Sequence, residues 1–290
     1  MSKIAVLVCC NSGIDYIKHP YYILVPRSRI IFSEKEEYRD YVDIKADEFY
    51  DKLRKDPNVV PRTVQATTGE FVEMYEKVKA DGYDTVIVIL ISSKMSGYIT
   101  NANLAAQMVE GLHVVVFDSR SLGYIETRMA LDASEMAKEG KSLDEIMKRL
   151  EYIRDNNHVF FAVEDLKFLV KNGRLSGAAG FIGGMLKIKP LLEIDNTGQV
   201  VSLEKIRTFQ KAVDRVIEKY LEATEGKAHE AFIIHAHNIE CAEYIRKKIL
   251  ESRPELKEVP DFLLTPVVGA HCGPGAISVG FILKNEKENR

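Results

Sequence analysis

The sequence predicts an α/β protein built from two α/β domains, the first a doubly wound and largely parallel sheet. Three observations predict it. The 290 residues exceed one average domain and fall short of three. Short runs rich in β-branched residues recur between turn signals, and amphipathic helical patterns lie between them.

The strand candidates, in order, are Ile4–Val8, Thr85–Ile91, His113–Phe117, Val159–Val163, Ala231–Ile234 and Pro266–Val268. The first three are apolar throughout rather than alternating, which predicts strands covered on both faces, the habit of a parallel sheet. Thr67-Thr68-Gly69-Glu70 is a capping-box sequence, followed by Phe71, Met74, Tyr75 and Val78 at helical spacing. Ser142-Leu143-Asp144-Glu145 repeats the signature ahead of Ile146, Leu150 and Ile153. The polar Arg154-Asp155-Asn156-Asn157 then marks a boundary, giving domains 1–156 and 157–290. Beyond it a short helix over Asp165–Lys171 stops at Asn172-Gly173. Asn196-Thr197-Gly198 predicts a hairpin turn between Leu191–Ile194 and Val200–Leu203. Helices follow over Thr208–Ala223 and Asn238–Ser252, and the charged tail Lys284–Arg290 predicts a frayed end.

Composition narrows the function. A net charge of -3 supplies no basic field for nucleic acid. No apolar run reaches the roughly 18 residues of a transmembrane helix, and Ile4–Val8 is too short for a signal-peptide core. Four cysteines, two of them adjacent at Cys9 and Cys10, do not resemble a secreted disulfide framework, so a cytoplasmic protein with reduced thiols is expected. His235, His237 and Cys272 match no strong metal-ligand spacing, and no metal or cofactor is expected.

Four segments place hydroxyls, glycines or an imidazole where strands end. They are Pro61-Arg62-Thr63-Val64-Gln65, Ser92-Ser93-Lys94-Met95-Ser96-Gly97, Lys171-Asn172-Gly173-Arg174-Leu175-Ser176-Gly177, and Gly269-Ala270-His271-Cys272-Gly273-Pro274-Gly275-Ala276. Ligands of open α/β sheets collect beyond the carboxyl ends of strands, and helix starts there offer N–H groups to an anion. Two readings stand for each key residue. Ser96 either caps its helix or faces an anion. His271 is either a satisfied structural group or a partner for an acid, as hydrogen bonder or as cation. The third segment is a helix stop with a packing stretch behind it.

The ordered set of landmarks resembles the DegV family, whose fatty-acid-binding members are called FakB. The landmarks are Asn11-Ser12 with Asp15, Thr63-Val64-Gln65, Gly69-Glu70-Phe71, Ser92 to Gly97, Asp118-Ser119, Asn172 to Ser176, Lys187-Ile188-Lys189-Pro190, Arg207-Thr208 and Ala270 to Ala276. The resemblance spans Ile4 to Phe281. It implies one long-chain fatty acid in a tunnel between the domains, its carboxylate held by Thr63, Ser96 and His271. It also implies that Arg207 lies near the headgroup and engages a separate fatty acid kinase, which makes the acyl phosphate from the presented acid. The chain itself would then be a lipid-binding carrier and not an enzyme. Phe181, Ile182, Met185, Leu186 and Ile188 are candidates for the tunnel wall, with ordinary core as the competing reading.

The chain departs from the family pattern at Val64, Lys94, Tyr98 and Cys272, where hydroxyl residues or glycine are usual. Val64 and Cys272 lead us to expect a less polar headgroup pocket. The alternative is a hydrolase or transferase acting on a lipid-like acid derivative, with Ser96 as nucleophile and His271 as base. That alternative lacks a third, orienting residue.

Overall fold

The computed structural model describes residues 3–177 and 188–285. Its first sheet runs β2-β1-β6-β7, all pairs parallel, with β1 Ile4–Val8, β2 Ile23–Leu24, β6 Thr85–Leu90 and β7 His113–Asp118. Every residue of β6 is buried. Side chains alternate between faces, so full burial requires cover on both sides. Helices α2 (Thr68–Ala80) and α3 (Tyr98–Ala106) pack together, α3 also on β6 and β7; α4 (Tyr124–Lys138) packs on β1, β6 and α5 (Leu143–Asp155). β7 differs from expectation: as an edge strand it is largely only partly buried. Both capping boxes form, the Thr67 and Ser142 hydroxyls accepting from the N–H of Glu70 and Glu145.

A small antiparallel sheet that the residue pattern did not announce comprises β3 (Arg29–Ser33), β4 (Glu36–Arg39) and β5 (Arg62–Val64), with α1 (Ala46–Lys55) between β4 and β5. β5 brings Thr63 to its place.

The remaining strands form one sheet in the order β10-β9-β8-β13-β11-β12. They are β8 Asn157–Ala162, β9 Leu191–Ile194, β10 Val200–Glu204, β11 His229–His235, β12 Asp261–Leu263 and β13 Ile277–Leu283. All pairs except β11–β12 are antiparallel. Short α6 (Lys167–Lys171) follows β8. One face, with Phe160, Ala162, Val279 and Phe281, packs in a core shared with α7 (Phe209–Ala223) and α8 (Ile239–Ser252). The other, with Val159, Phe161, Leu192, Ile194, Phe232 and Ile234, joins a core shared with the first sheet.

The expected strand at Pro266–Val268 is instead the start of a helix, α9 (Pro266–Cys272). Two valines favour a strand locally, but proline at the first helical position has the required φ and lacks an N–H that would be unpaired there. The predicted hairpin is present. Asp195 accepts from the N–H of Thr197 and Gln199, and Gly198 sits at φ +85°. This turn reaches across to the first half, where the Ser92 hydroxyl donates to the Gly198 carbonyl at 2.8 Å. A Cβ on Gly198 would collide with that hydroxyl.

Candidate functional site

Between the two large sheets lies a cavity lined from both sides. Ile91 and Leu122 come from the first half, and Val159, Phe161, Ile194, Val200 and Ile234 from the second sheet. Its polar lining includes Thr63, Gln65, Ser96, Arg174 and His271. Three of the four segments singled out by sequence thus supply hydroxyl or imidazole groups to one place, and the fourth supplies a guanidinium.

Local structure explains the convergence. Asn172, just past α6, donates to the carbonyls of both Pro61 and Ala270, tying the lead into β5 to the helix that carries His271. Thr63 Oγ1 and His271 Nε2 stand 2.8 Å apart. The Ser96 hydroxyl donates to Gln65 Oε1 at 2.9 Å. The capping reading for Ser96 is not realised: Gly97 is the N-cap of α3 and no side chain caps it. Asn101 of α3 donates to the Ala66 carbonyl, fixing that helix against the Thr63 segment.

Arg174 donates to the Asn172 and Met95 carbonyls. Burial and the nearby Arg174 charge push the His271 pKa down to about 3, so the imidazole is neutral near pH 7. Its Nδ1 is sealed from solvent and has no partner among the described residues. Of the two roles expected for His271, the neutral hydrogen bonder is therefore the one this geometry provides. Cys272 also lines the cavity; burial pushes its thiol up to about 12, making it an unreactive, weakly polar wall.

Several expectations need correction. Val64 is 41% exposed and absent from the lining, because successive residues of β5 face opposite ways. Its lack of a hydroxyl does not make the pocket less polar. Ile188 packs on the shared core rather than lining the cavity. Phe181, Ile182, Met185 and Leu186 lie outside the described residues. Arg207, expected near the headgroup and facing a partner, needs no such correction: it is exposed between β10 and α7, outside the cavity lining. The nucleophile–base pair needed by the hydrolase alternative is not made, since Ser96 bonds Gln65 and His271 bonds Thr63. Among the described residues, no three His, Cys, Asp or Glu side chains could together hold a metal, and no helix could cross a membrane.

Among the described residues, the cation that lines the cavity is Arg174, from the Lys171–Gly177 segment whose competing reading is a helix stop. Its signal was the polar run Asn172 to Ser176 ahead of small apolar residues. Tyr98 and Ser28 line the cavity as well, their hydroxyls 2.9 Å apart.

The DegV family profile, described as "Uncharacterised protein, DegV family", matches residues 13–284. A DegV domain-containing protein of Listeria monocytogenes is 35% identical over 285 residues, 97% of this chain and 99% of that one. The crystal structure of DegV from Bacillus subtilis, described as a fatty acid binding protein, is 34% identical with a TM-score of 0.86, covering 98% of this chain and all of the other. A fatty acid binding DegV family protein from Streptococcus agalactiae is 26% identical with a TM-score of 0.88, at the same coverage.

Proposed function

The chain belongs to the DegV family, and from that premise we propose that it binds one long-chain fatty acid and presents the carboxylate to a separate fatty acid kinase. The observation that carries the reading is the grouping of Thr63, Ser96, His271 and Arg174 on an otherwise mainly apolar cavity. Fatty acid binding by the Bacillus and Streptococcus relatives supports it.

The physical chemistry follows from the pairs already made. Thr63 faces His271 and Ser96 faces Gln65, so these polar groups are held ready without bulk water. An incoming carboxylate accepts from the Thr63 and Ser96 hydroxyls and from a neutral His271 Nε2–H. Arg174 supplies the countercharge that offsets its desolvation. The tail lies against Ile91, Leu122, Val159, Phe161 and Ile194. Burying sixteen carbons contributes on the order of 12 kcal/mol gross at about 0.8 per methylene. Ordering and association offset much of it.

In this reading the chain performs no chemistry. The kinase joins a carboxylate oxygen to the γ-phosphorus of ATP, and ADP leaves. Arg207, exposed outside the cavity, is the partner-facing residue. The chain divides into units 1–156 and 157–290, a division supported by the absence of strand pairing across it among the described residues.

The test combines this protein, palmitate, ATP and a fatty acid kinase. Acyl phosphate should form only when the chain is present. Arg207→Ala should retain bound palmitate and lose most product. Equal product without the chain would refute presentation while leaving binding intact.

A further inference from the structure

The cavity between the sheets adjoins a second one, which holds about 460 Å³. Asn11, Ile234 and Leu264 line both, so these residues form the wall between the two. The direction of one side chain is given by its neighbour. A Cβ on Gly123, a residue of the second cavity, would stand 3.0 Å from Ile234 Cδ1. The tip of Ile234 therefore closes the wall on the far side.

This wall is fixed from behind. Ile234 pairs with Ser278 of β13 and Phe262 of β12. The Leu264 N–H donates to the His235 carbonyl, and the Leu264 carbonyl accepts from the Tyr50 hydroxyl, both at 2.8 Å. The Asn11 amide nitrogen donates to Glu126.

The wall also stands away from the carboxylate-binding group. Leu264 precedes α9 and His271 lies in its last turn, seven positions on, a separation of about 10 Å at the helical rise. Val267 and Val268, between them on the helix, line the first cavity. A tail that follows α9 away from His271 thus arrives at Leu264 and Ile234. The two sides of the wall differ in kind. Before it stand Leu122, Val159 and Phe161; behind it His235, Asp261 and the exposed Asp47 join the lining. Methylenes gain by leaving water for apolar surface, so the gain per added carbon ends where this wall stands.

Resting on the fatty-acid reading above, we propose that Ile234 and Leu264 fix the longest acyl chain that the protein accepts. An acid whose terminal methyl reaches them fills the first cavity. Further methylenes have no straight path, because the way into the second cavity is closed by side chains on an anchored backbone.

The experiment is competition binding to the intact protein with the saturated series myristate, palmitate, stearate, arachidate and behenate. Affinity in the wild type should rise by about fourfold per methylene and then break at one acid, beyond which it falls. Ile234→Ala joins the two cavities and should move the break to a longer acid, raising the ratio of behenate to palmitate affinity by about tenfold or more. Leu264→Ala should act in the same direction, and it carries the test should Ile234→Ala fail to fold. Ile194→Ala, which borders the first cavity alone, should leave the longest accepted acid unchanged. A wild-type series without a break would overturn the proposal, as would the same break in both wall variants or an equal shift in Ile194→Ala. In each of these cases the fatty-acid reading would stand. A folded wild-type protein that binds none of the acids would overturn that reading and this proposal together.

Discussion

The two faces of the six-stranded sheet bury similar apolar side chains but keep different company. Behind the sheet, Phe160, Ala162, Ile233, Val279 and Phe281 meet Val213, Val216 and Tyr220 of α7 and Ile245 and Ile249 of α8. The buried polar pair there is satisfied, Tyr220 hydroxyl to His229 Nε2 at 2.6 Å. In front, toward the first half, Asn11, Asp40, Glu126, Thr265 and His271 each bury a polar atom without a partner among the described residues. An unmade buried hydrogen bond costs about 1–3 kcal/mol, so a fold keeps several only where something else is served. The rear face pairs its buried polar groups, whereas the front face, where Asn11 and His271 line the cavity, leaves several unpaired among the described residues.

That contrast can be broken or sharpened by substitution. The largest effect is expected behind the sheet. Ile233→Ala should lower unfolding free energy by about 2–5 kcal/mol in denaturant titrations, because a fully buried side chain leaves a void under α8. Ile194→Ala, whose side chain already borders the cavity, should cost less and should alter acyl-chain preference. Equal costs with no change in preference would erase the distinction between the faces.

Next in size are the headgroup residues. Thr63→Ala and His271→Gln should each weaken palmitate binding by about tenfold or more, since hydrogen bonds to a charged group contribute about 1.5–3 kcal/mol. Denaturant midpoints should move little. Unchanged affinity in both variants would place the carboxylate elsewhere.

Smaller effects concern pH. Burial holds the Glu126 carboxyl well above the usual carboxylate range. The stability linked to its protonation is full below the unfolded pKa and is lost as pH rises through the folded one. Glu126→Gln should therefore flatten the decline of stability toward alkaline pH. His271 shifts the other way, down to about 3. Its contribution is full above the unfolded value near 6.5 and diminishes as pH falls toward 3. His271→Gln should weaken the acid dependence in that window. Thermal unfolding across pH reads both.

Much of this architecture is legible in the sequence. β1 and β6 are covered on both faces, and that burial writes itself as unbroken apolar runs. Thr67–Glu70 and Ser142–Glu145 cap as their residue types dictate. What escaped had competing local signals. β3, β4 and β5 are short, charged and partly exposed, so no periodicity marks them. β13 contains Gly280, a poor strand residue alone, whose missing Cβ makes room for the Phe232 ring. α9 hides behind two valines. At the site, Thr63, Ser96 and His271 emerged through ordered motifs, whereas their grouping depends on Asn172 bridging two distant carbonyls. No sequence spacing expresses such a bridge. Arg174 was masked by the glycine before it.

The central claim is that the front cavity is a fatty-acid site. Mass spectrometry of lipids extracted from protein purified without delipidation tests it most directly, with a Thr63→Ala/Ser96→Ala/His271→Ala variant alongside. The account predicts one fatty acid per wild-type chain and a large loss in the variant. A folded wild-type protein that carries no fatty acid and takes up none when supplied would contradict it.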